Sequence, residues 1–384
     1  MDKVIAILIG FLPNPRMYKR IELEKKIAQL HLICWDKGNS MLLPPQEDGY
    51  KAHIFSIPAS GDPIKRMIPY TRFSNQAYAA LKEIRPDIIH VQGLDMLKIA
   101  HRYKKTVNKD VSIVYEVADL HRLLVDKQRH PLKKIIQAYL CYEDRRLKKS
   151  YDLLLLTSMK FFEVYFSKFV CENKILYMPN VPDLSAFSSY EKKSSRDEFT
   201  VGYIGSVRYK QQMRNLIDAA QHNNMRVLIA GFENEPIEIE PLCKDNPRIE
   251  WIGRFDFDKQ AAALYGKCDV MYSVYDADMH NVRVALPNKL YEAVYCEMPL
   301  IVAKNTYLAQ TVEDWGVGVS VDHKSVDELT RVLAQLQNDP EIYERIVENC
   351  QRRKEEVGLQ RFNILLEKRI RELLDLKSMR REQF

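Results

Sequence analysis

The chain has 384 residues, 46% of them apolar and 29% charged. That length exceeds one hydrophobic core and suits two domains, and the composition excludes a disordered or fibrous chain. The formal net charge of +6 is unevenly spread: residues 1–190 hold 30 Lys and Arg against 20 Asp and Glu, residues 191–384 hold 28 against 32. A basic half joined to an acidic half predicts that the first half meets something anionic. The pattern of an RNA-binding module or a helix-turn-helix is missing, so nucleic acid is not the expected partner, and an anionic membrane surface fits the charge. The cysteines at 34, 141, 171, 243, 268, 296 and 350 are scattered without a CxxC pair. This argues against a zinc site and suits a reducing cytoplasm. The apolar run 4–12 is nine residues long, too short to span a bilayer or to read as a secretory signal.

In chain order, KVIAILIG (3–10) predicts a strand buried on both faces, and RMYKRIELEKKIAQL (16–30) a helix. Strands follow at 31–36 and 53–58, a helix at 70–84, strands at 87–93 and 111–119, a helix at 133–150 and a strand at 151–158. The polar stretch 180–198, with five serines, reads as the joint between domains. The alternation then restarts: strands at 199–205, 226–231, 248–253, 269–276, 299–304 and 318–322, with helices at 213–221, 289–297 and 326–337. Strands alternating with helices imply parallel sheets covered on both faces. The final stretch 359–384 carries Phe362, Leu365, Leu366, Ile370, Leu373 and Leu374 on one helical face, which predicts packing across the two domains.

Several stretches resemble the GT-B glycosyltransferases, specifically the large retaining family 4: PNPRMYKRIELEK after the first strand, PDIIHVQG, LTSMKFFEVY with ILYMPNVPD, VGYIGSVRYKQQMRNLIDAA, and PNKLYEAVYCEMPLIV (287–302). The resemblance implies an α/β fold of two Rossmann-like, doubly wound domains facing across a cleft. The expected division is an acceptor-binding domain at 1–185, a linker at 186–198, a nucleotide-sugar-binding domain at 199–358 and a C-terminal helix at 359–384. The implied activity is transfer of a hexose or aminohexose from a nucleoside diphosphate sugar to a glycan or lipid-linked saccharide, as in bacterial surface polysaccharide synthesis. The expected location is the cytoplasm, peripheral on the inner face of the plasma membrane.

The stretch at 287–302 supports a donor site on physical grounds as well. A helix start offers free N–H groups and the positive end of its dipole to a diphosphate. Pro287 suits the first turn, Lys289 adds a point charge, and Glu292 shares the helix face and can accept ribose hydroxyls. A solvated Lys–Glu pair on a helix surface is the plain alternative. The resemblance implies Gly205, Asn288, Lys289, Leu290 and Glu292 for the donor and Asp119 for catalysis. Ser206, Arg208, Lys210 and Arg283, at or beside positions where the family pattern is broken, are further donor candidates, and His121 is a further catalytic candidate. The chain departs from the family pattern at three places. Val284 stands where the first Glu of the usual pair belongs, Ser206 and Gln211 replace an Arg and a Lys, and Ala118 replaces a His, with His121 three residues on as a substitute. No cofactor or metal is expected, because dipoles and cations stabilise the leaving diphosphate. The tripeptides DFD (256–258) and DAD (276–278) read as a helix cap and a strand end. A nucleotide-sugar 2-epimerase of the same fold and a non-catalytic partner of another transferase are the rival expectations.

Overall fold

The computed structural model describes residues 3–38, 49–62, 65–126, 130–193, 198–233, 239–243 and 246–382. The chain divides into two compact units, residues 1–179 with 362–384, and residues 180–361.

The first unit runs β1 (Val4–Ile9), α1 (Pro15–Glu24), β2 (Gln29–Asp36), β3 (Tyr50–Ser56), α2 (Met67–Ile84), β4 (Ile88–Gln92), α3 (Leu94–Thr106), β5 (Ser112–Val117), α4 (Arg122–Val125), α5 (Pro131–Leu147), β6 (Leu153–Leu156), α6 (Met159–Val164) and β7 (Ile175–Tyr177). Its strands are parallel in the order β3-β2-β1-β4-β5-β6-β7, which is the doubly wound arrangement. The central strands are uninterrupted apolar runs because both faces are covered: Ile5 to Ile9 and Leu153 to Leu156 are fully buried. The expected helix at 16–30 is shorter than its pattern. It ends at Glu24, whose carbonyl closes the turn by accepting from Ile27 and Ala28. Gln29 then begins β2 in register with Val4.

The second unit runs β8 (Thr200–Ile204), α7 (Lys210–His222), β9 (Arg226–Ala230), α8 (Ile239–Cys243), β10 (Ile249–Gly253), α9 (Phe257–Gly266), β11 (Val270–Ser273), α10 (His280–Val284), α11 (Asn288–Tyr295), β12 (Leu300–Ala303), α12 (Tyr307–Trp315), β13 (Gly318–Val321), α13 (Val326–Asn338) and α14 (Pro340–Arg353). The sheet order is β10-β9-β8-β11-β12-β13. Strand order therefore reverses between β8 and β11, and in such sheets ligands bind beyond the carboxyl ends at that point. The described residues 180–193 of the polar stretch expected as the joint are folded into this unit. Phe187 is buried against Tyr265, Phe257 and Tyr295, and Tyr190 donates to the Cys296 carbonyl at 2.7 Å. The division falls ahead of that stretch, between Pro179 and Asn180.

The last helix, α15 (Leu359–Glu382), has its residues from Phe362 onward in the first unit. Phe362, Leu366, Ile370 and Leu374 are buried, the Phe362 ring meets Tyr177 edge-on, and Lys3 donates to the Leu374 carbonyl. No helix among the described residues is long and apolar enough to cross a membrane.

The first unit also buries four charged side chains together. Arg20 of α1 donates to Glu116 of β5 at 3.0 Å, and Glu24 of α1 meets His90 Nδ1 of β4 at 2.5 Å. His90 Nε2 lies 3.3 Å from Glu116, a charge contact rather than an aligned hydrogen bond. Burial opposes the charge on His90, but Glu24 and Glu116 outweigh it and raise its pKa to about 9. Burial likewise opposes the charge on Glu116, yet Arg20 and His90 hold it well below the usual carboxylate range.

Candidate functional site

The loops after β8 and β11 and the start of α11 converge in the second unit. Lys289, in the first turn of α11, is buried at 6% exposure. Its Nζ donates to the Tyr275 hydroxyl at 3.1 Å and sits 4.3 Å from the Tyr203 ring centre and 5.4 Å from that of Tyr275. A charge over the negative faces of aromatic rings is stabilised without a carboxylate partner. Burial works against the charge, but the phenols of Tyr275 and Tyr203 and the nearby Glu292 prevail, and the Lys289 pKa is raised. The Tyr203 phenol is pushed up to about 12 by its own burial.

The ammonium reaches Gly205, the residue directly after β8. A Cβ there would lie 3.3 Å from Lys289 Nζ, and Gly205 has φ +124°. The next strand-end glycine, Gly231, is pressed against it: a Cβ on Gly231 would fall 1.8 Å from the Gly205 carbonyl oxygen. Glycine is required at both places, for backbone conformation at the first and for close approach at the second. Ser206 and Arg208 follow, with Arg208 Nε donating to Ser206 Oγ at 3.2 Å. Tyr209 adopts a left-handed conformation (φ 64°, ψ 75°) just before α7 begins at Lys210. Such backbone in a residue with a side chain is strained and is typical of functional loops. The Tyr209 ring lies 5.6 Å from that of Tyr275, so the two strand-end loops touch.

Three expectations change in detail. Pro287 is the residue preceding the helix rather than its first, with extended backbone, and Asn288 opens α11. Leu290 is fully buried and belongs to the core, so only its backbone is polar there. Glu292 is 3% exposed and accepts from the Tyr265 hydroxyl at 2.5 Å, so at least one carboxylate oxygen serves the interior. Arg283, exposed on α10, donates to the Asp278 carbonyl at 3.2 Å. Asp119 and His121 lie in the first unit, exposed in the segment after β5, which Thr157 ties down by donating to the Ala118 carbonyl at 2.7 Å.

The DAD tripeptide ends beside His323, which the sequence does not single out. Asp276 Oδ1 lies 3.5 Å and Asp278 Oδ1 3.9 Å from the imidazole. These three groups are near enough to share a cation. However, the Lys324 ammonium stands 2.6 Å from Asp278 and neutralises one of the two carboxylates. Gln212 and Asn215 of α7 hold the His323 carbonyl, each at 3.2 Å. The aromatic enclosure of Lys289 also escapes the sequence, because Tyr203 and Tyr275 come from two separate segments.

Residues 187–353 match the family model described as glycosyl transferases group 1. That match lies within the second unit, and the two parallel Rossmann-like sheets are those of the GT-B glycosyltransferase fold. Among curated proteins, the chain is similar to the succinoglycan biosynthesis protein ExoL of Rhizobium meliloti (strain 1021). The two are 24% identical over 347 residues, covering 86% of this chain and 84% of the relative. Among solved structures it shares its fold with a sucrose-phosphate synthase from Thermosynechococcus elongatus, at a TM-score of 0.73 and 14% identity, covering 97% of this chain and all of that one. The fold is shared too with Anabaena HepE, solved in complex with UDP, at a TM-score of 0.69 and 14% identity, covering 96% of this chain and all of that one.

Proposed function

We propose that this protein is a retaining transferase that moves a hexose or aminohexose from a nucleoside diphosphate sugar to a glycan or lipid-linked saccharide, in bacterial surface polysaccharide synthesis at the inner face of the membrane. The observation that carries the donor reading is the buried Lys289 ammonium, fixed between Tyr203 and Tyr275 and facing Gly205 at the point where strand order reverses. The unit that holds it has 22 Lys and Arg against 29 Asp and Glu. Affinity for a diphosphate must therefore come from local groups, not from the general field of the unit. Lys289, Arg208, Lys210 and the amino end of α11 supply them, and Glu292 stands one turn on for the ribose. The similarity to ExoL supports the polysaccharide role, and the UDP-bound HepE supports a nucleotide ligand.

In the reaction, the bond from the anomeric carbon to the diphosphate oxygen breaks. The acceptor hydroxyl oxygen bonds to that carbon on the same face, and its proton passes to the departing diphosphate. Fixed cations and helix N–H groups stabilise the charge that develops on the leaving oxygen. Asp119 and His121, in the first unit, are proposed as the catalytic residues. Thermal-shift screening with UDP-, GDP- and dTDP-sugars tests the donor, with stabilisation by one nucleotide series as the expected result. NMR of the product anomer then tests retention. Turnover of the donor without any acceptor, giving an epimer, would replace this reading by an isomerase.

A further inference from the structure

The first half of α5 leaves an apolar face uncovered. Leu132, Ile135, Ile136, Tyr139 and Tyr142 recur at the spacing of one helical face. That face ordinarily packs on a core, yet here these residues are 63%, 66%, 48%, 54% and 62% exposed. The helix is anchored by its second half, where Glu143, Asp144 and Leu147 are buried, while no residue of its first half is buried. A second apolar pair projects from the start of α2, Met67 and Ile68, at 66% and 70% exposure. The two helices share a flank through α3: Tyr70 of α2 donates to the Asp95 carbonyl of α3, and Lys98 of α3 lies 5.3 Å from the Tyr139 ring of α5. Exposed apolar area of this extent on one flank marks an interaction surface.

Charge identifies the occupant. Lys133 and Lys134 alternate with the apolar residues of α5, Lys148 and Lys149 follow it, and Lys65 and Arg66 precede Met67. Asp95 is met by Lys98 at 3.8 Å and Glu143 by Arg146 at 2.9 Å, so the flank remains strongly positive. The whole first unit holds 36 Lys and Arg against 23 Asp and Glu. An apolar ridge with interleaved cations suits the boundary of an anionic bilayer, where side chains enter the acyl region and ammonium groups stay among the headgroups.

We infer that the flank formed by α5 and the start of α2 docks this protein on an anionic lipid surface, with Leu132, Ile135, Ile136, Tyr139, Met67 and Ile68 inserted. This deepens the proposed use of a lipid-linked acceptor, but its test does not depend on that chemistry. The full chain is sedimented with vesicles of phosphatidylcholine alone or with about one-third phosphatidylglycerol. Binding to the anionic vesicles and weak binding to the neutral ones is expected. I135S/I136S should lower the partition constant by roughly 30-fold. K133S/K134S should lower it about tenfold on anionic vesicles and little on neutral ones. All four positions are exposed, so melting temperatures should match the parent. Tyr139→Trp should show a blue-shifted emission on vesicle addition if the face inserts. Failure of the parent to bind anionic vesicles at moderate salt would overturn the inference. So would an affinity unchanged in I135S/I136S, or a vesicle-independent dimer that this variant dissociates. Vesicle binding without any nucleotide-sugar binding would uphold the docking flank while removing the donor reading.

Discussion

Lys289→Met separates a phosphate-binding lysine from a structural one. The substitution keeps the length and apolar stem of the side chain and removes the charge beside Gly205. Two unit charges about 4 Å apart interact by about 4 kcal/mol at an effective dielectric near 20. Lys289 is already desolvated and held by Tyr275 and Tyr203, so little reorganisation accompanies binding. Water and the neighbouring cations recover part of the lost attraction, which leaves about 2–3 kcal/mol, or roughly a hundredfold in Kd. Calorimetry with the nucleoside diphosphate selected by the screen measures this. The corresponding monophosphate should lose less. The melting temperature of the variant should fall modestly, because the Tyr275 hydroxyl loses its donor and the two rings lose the charge they stabilise, while the apolar stem stays packed. Diphosphate binding within about threefold of the parent, with the fold intact, would refute the reasoning.

Three further outcomes follow from the packing. Gly231→Ala places a methyl 1.8 Å from the Gly205 carbonyl oxygen, so it should cost about 1–3 kcal/mol in denaturant unfolding and weaken nucleotide binding as well. Arg20→Met leaves Glu116 and its neighbours with an unbalanced charge in the core and should cost about 3–5 kcal/mol, part of it recovered in R20M/E116Q. Asp144 is buried beside Tyr165, and its pKa is raised from 3.8 to about 6 by that burial. A raised folded-state value means that its favourable protonated form is fully present below pH 3.8 and lost as pH rises through 6. Asp144→Asn should therefore raise the melting temperature at pH 7.5, by up to about 2–3 kcal/mol of stability, and leave it nearly unchanged at pH 3.5.

The alternation of strands and helices was legible because each central strand is a buried apolar run with few competing readings. β7 was not, being three residues long, whereas α3 and α14 do carry their signal, in Met96, Leu97, Ala100 and Tyr103 and in Tyr343, Ile346, Val347 and Cys350, each set buried on one face. Lys289 and Glu292 were legible from a Pro-Asn helix start between two strands. Their burial was not, because a Lys and a Glu three apart read equally as a solvated pair. The tyrosines around Lys289 come from the strand ends at 203 and 275, with Tyr209 next to them, and only the sheet order brings them together. The exposed face of α5 misleads in the opposite sense: its apolar spacing predicts a buried helix, and nothing local reveals which side the neighbours leave open.

The four charges buried between α1, β4 and β5 bind their positions into a common fate. Altering any one alone would strand its neighbours uncompensated in the interior, so a lineage can change this cluster only through a weakened intermediate or by several substitutions at once. Among relatives of this chain, positions 20, 24, 90 and 116 should accordingly be inherited as a set, either kept whole or exchanged together for apolar residues.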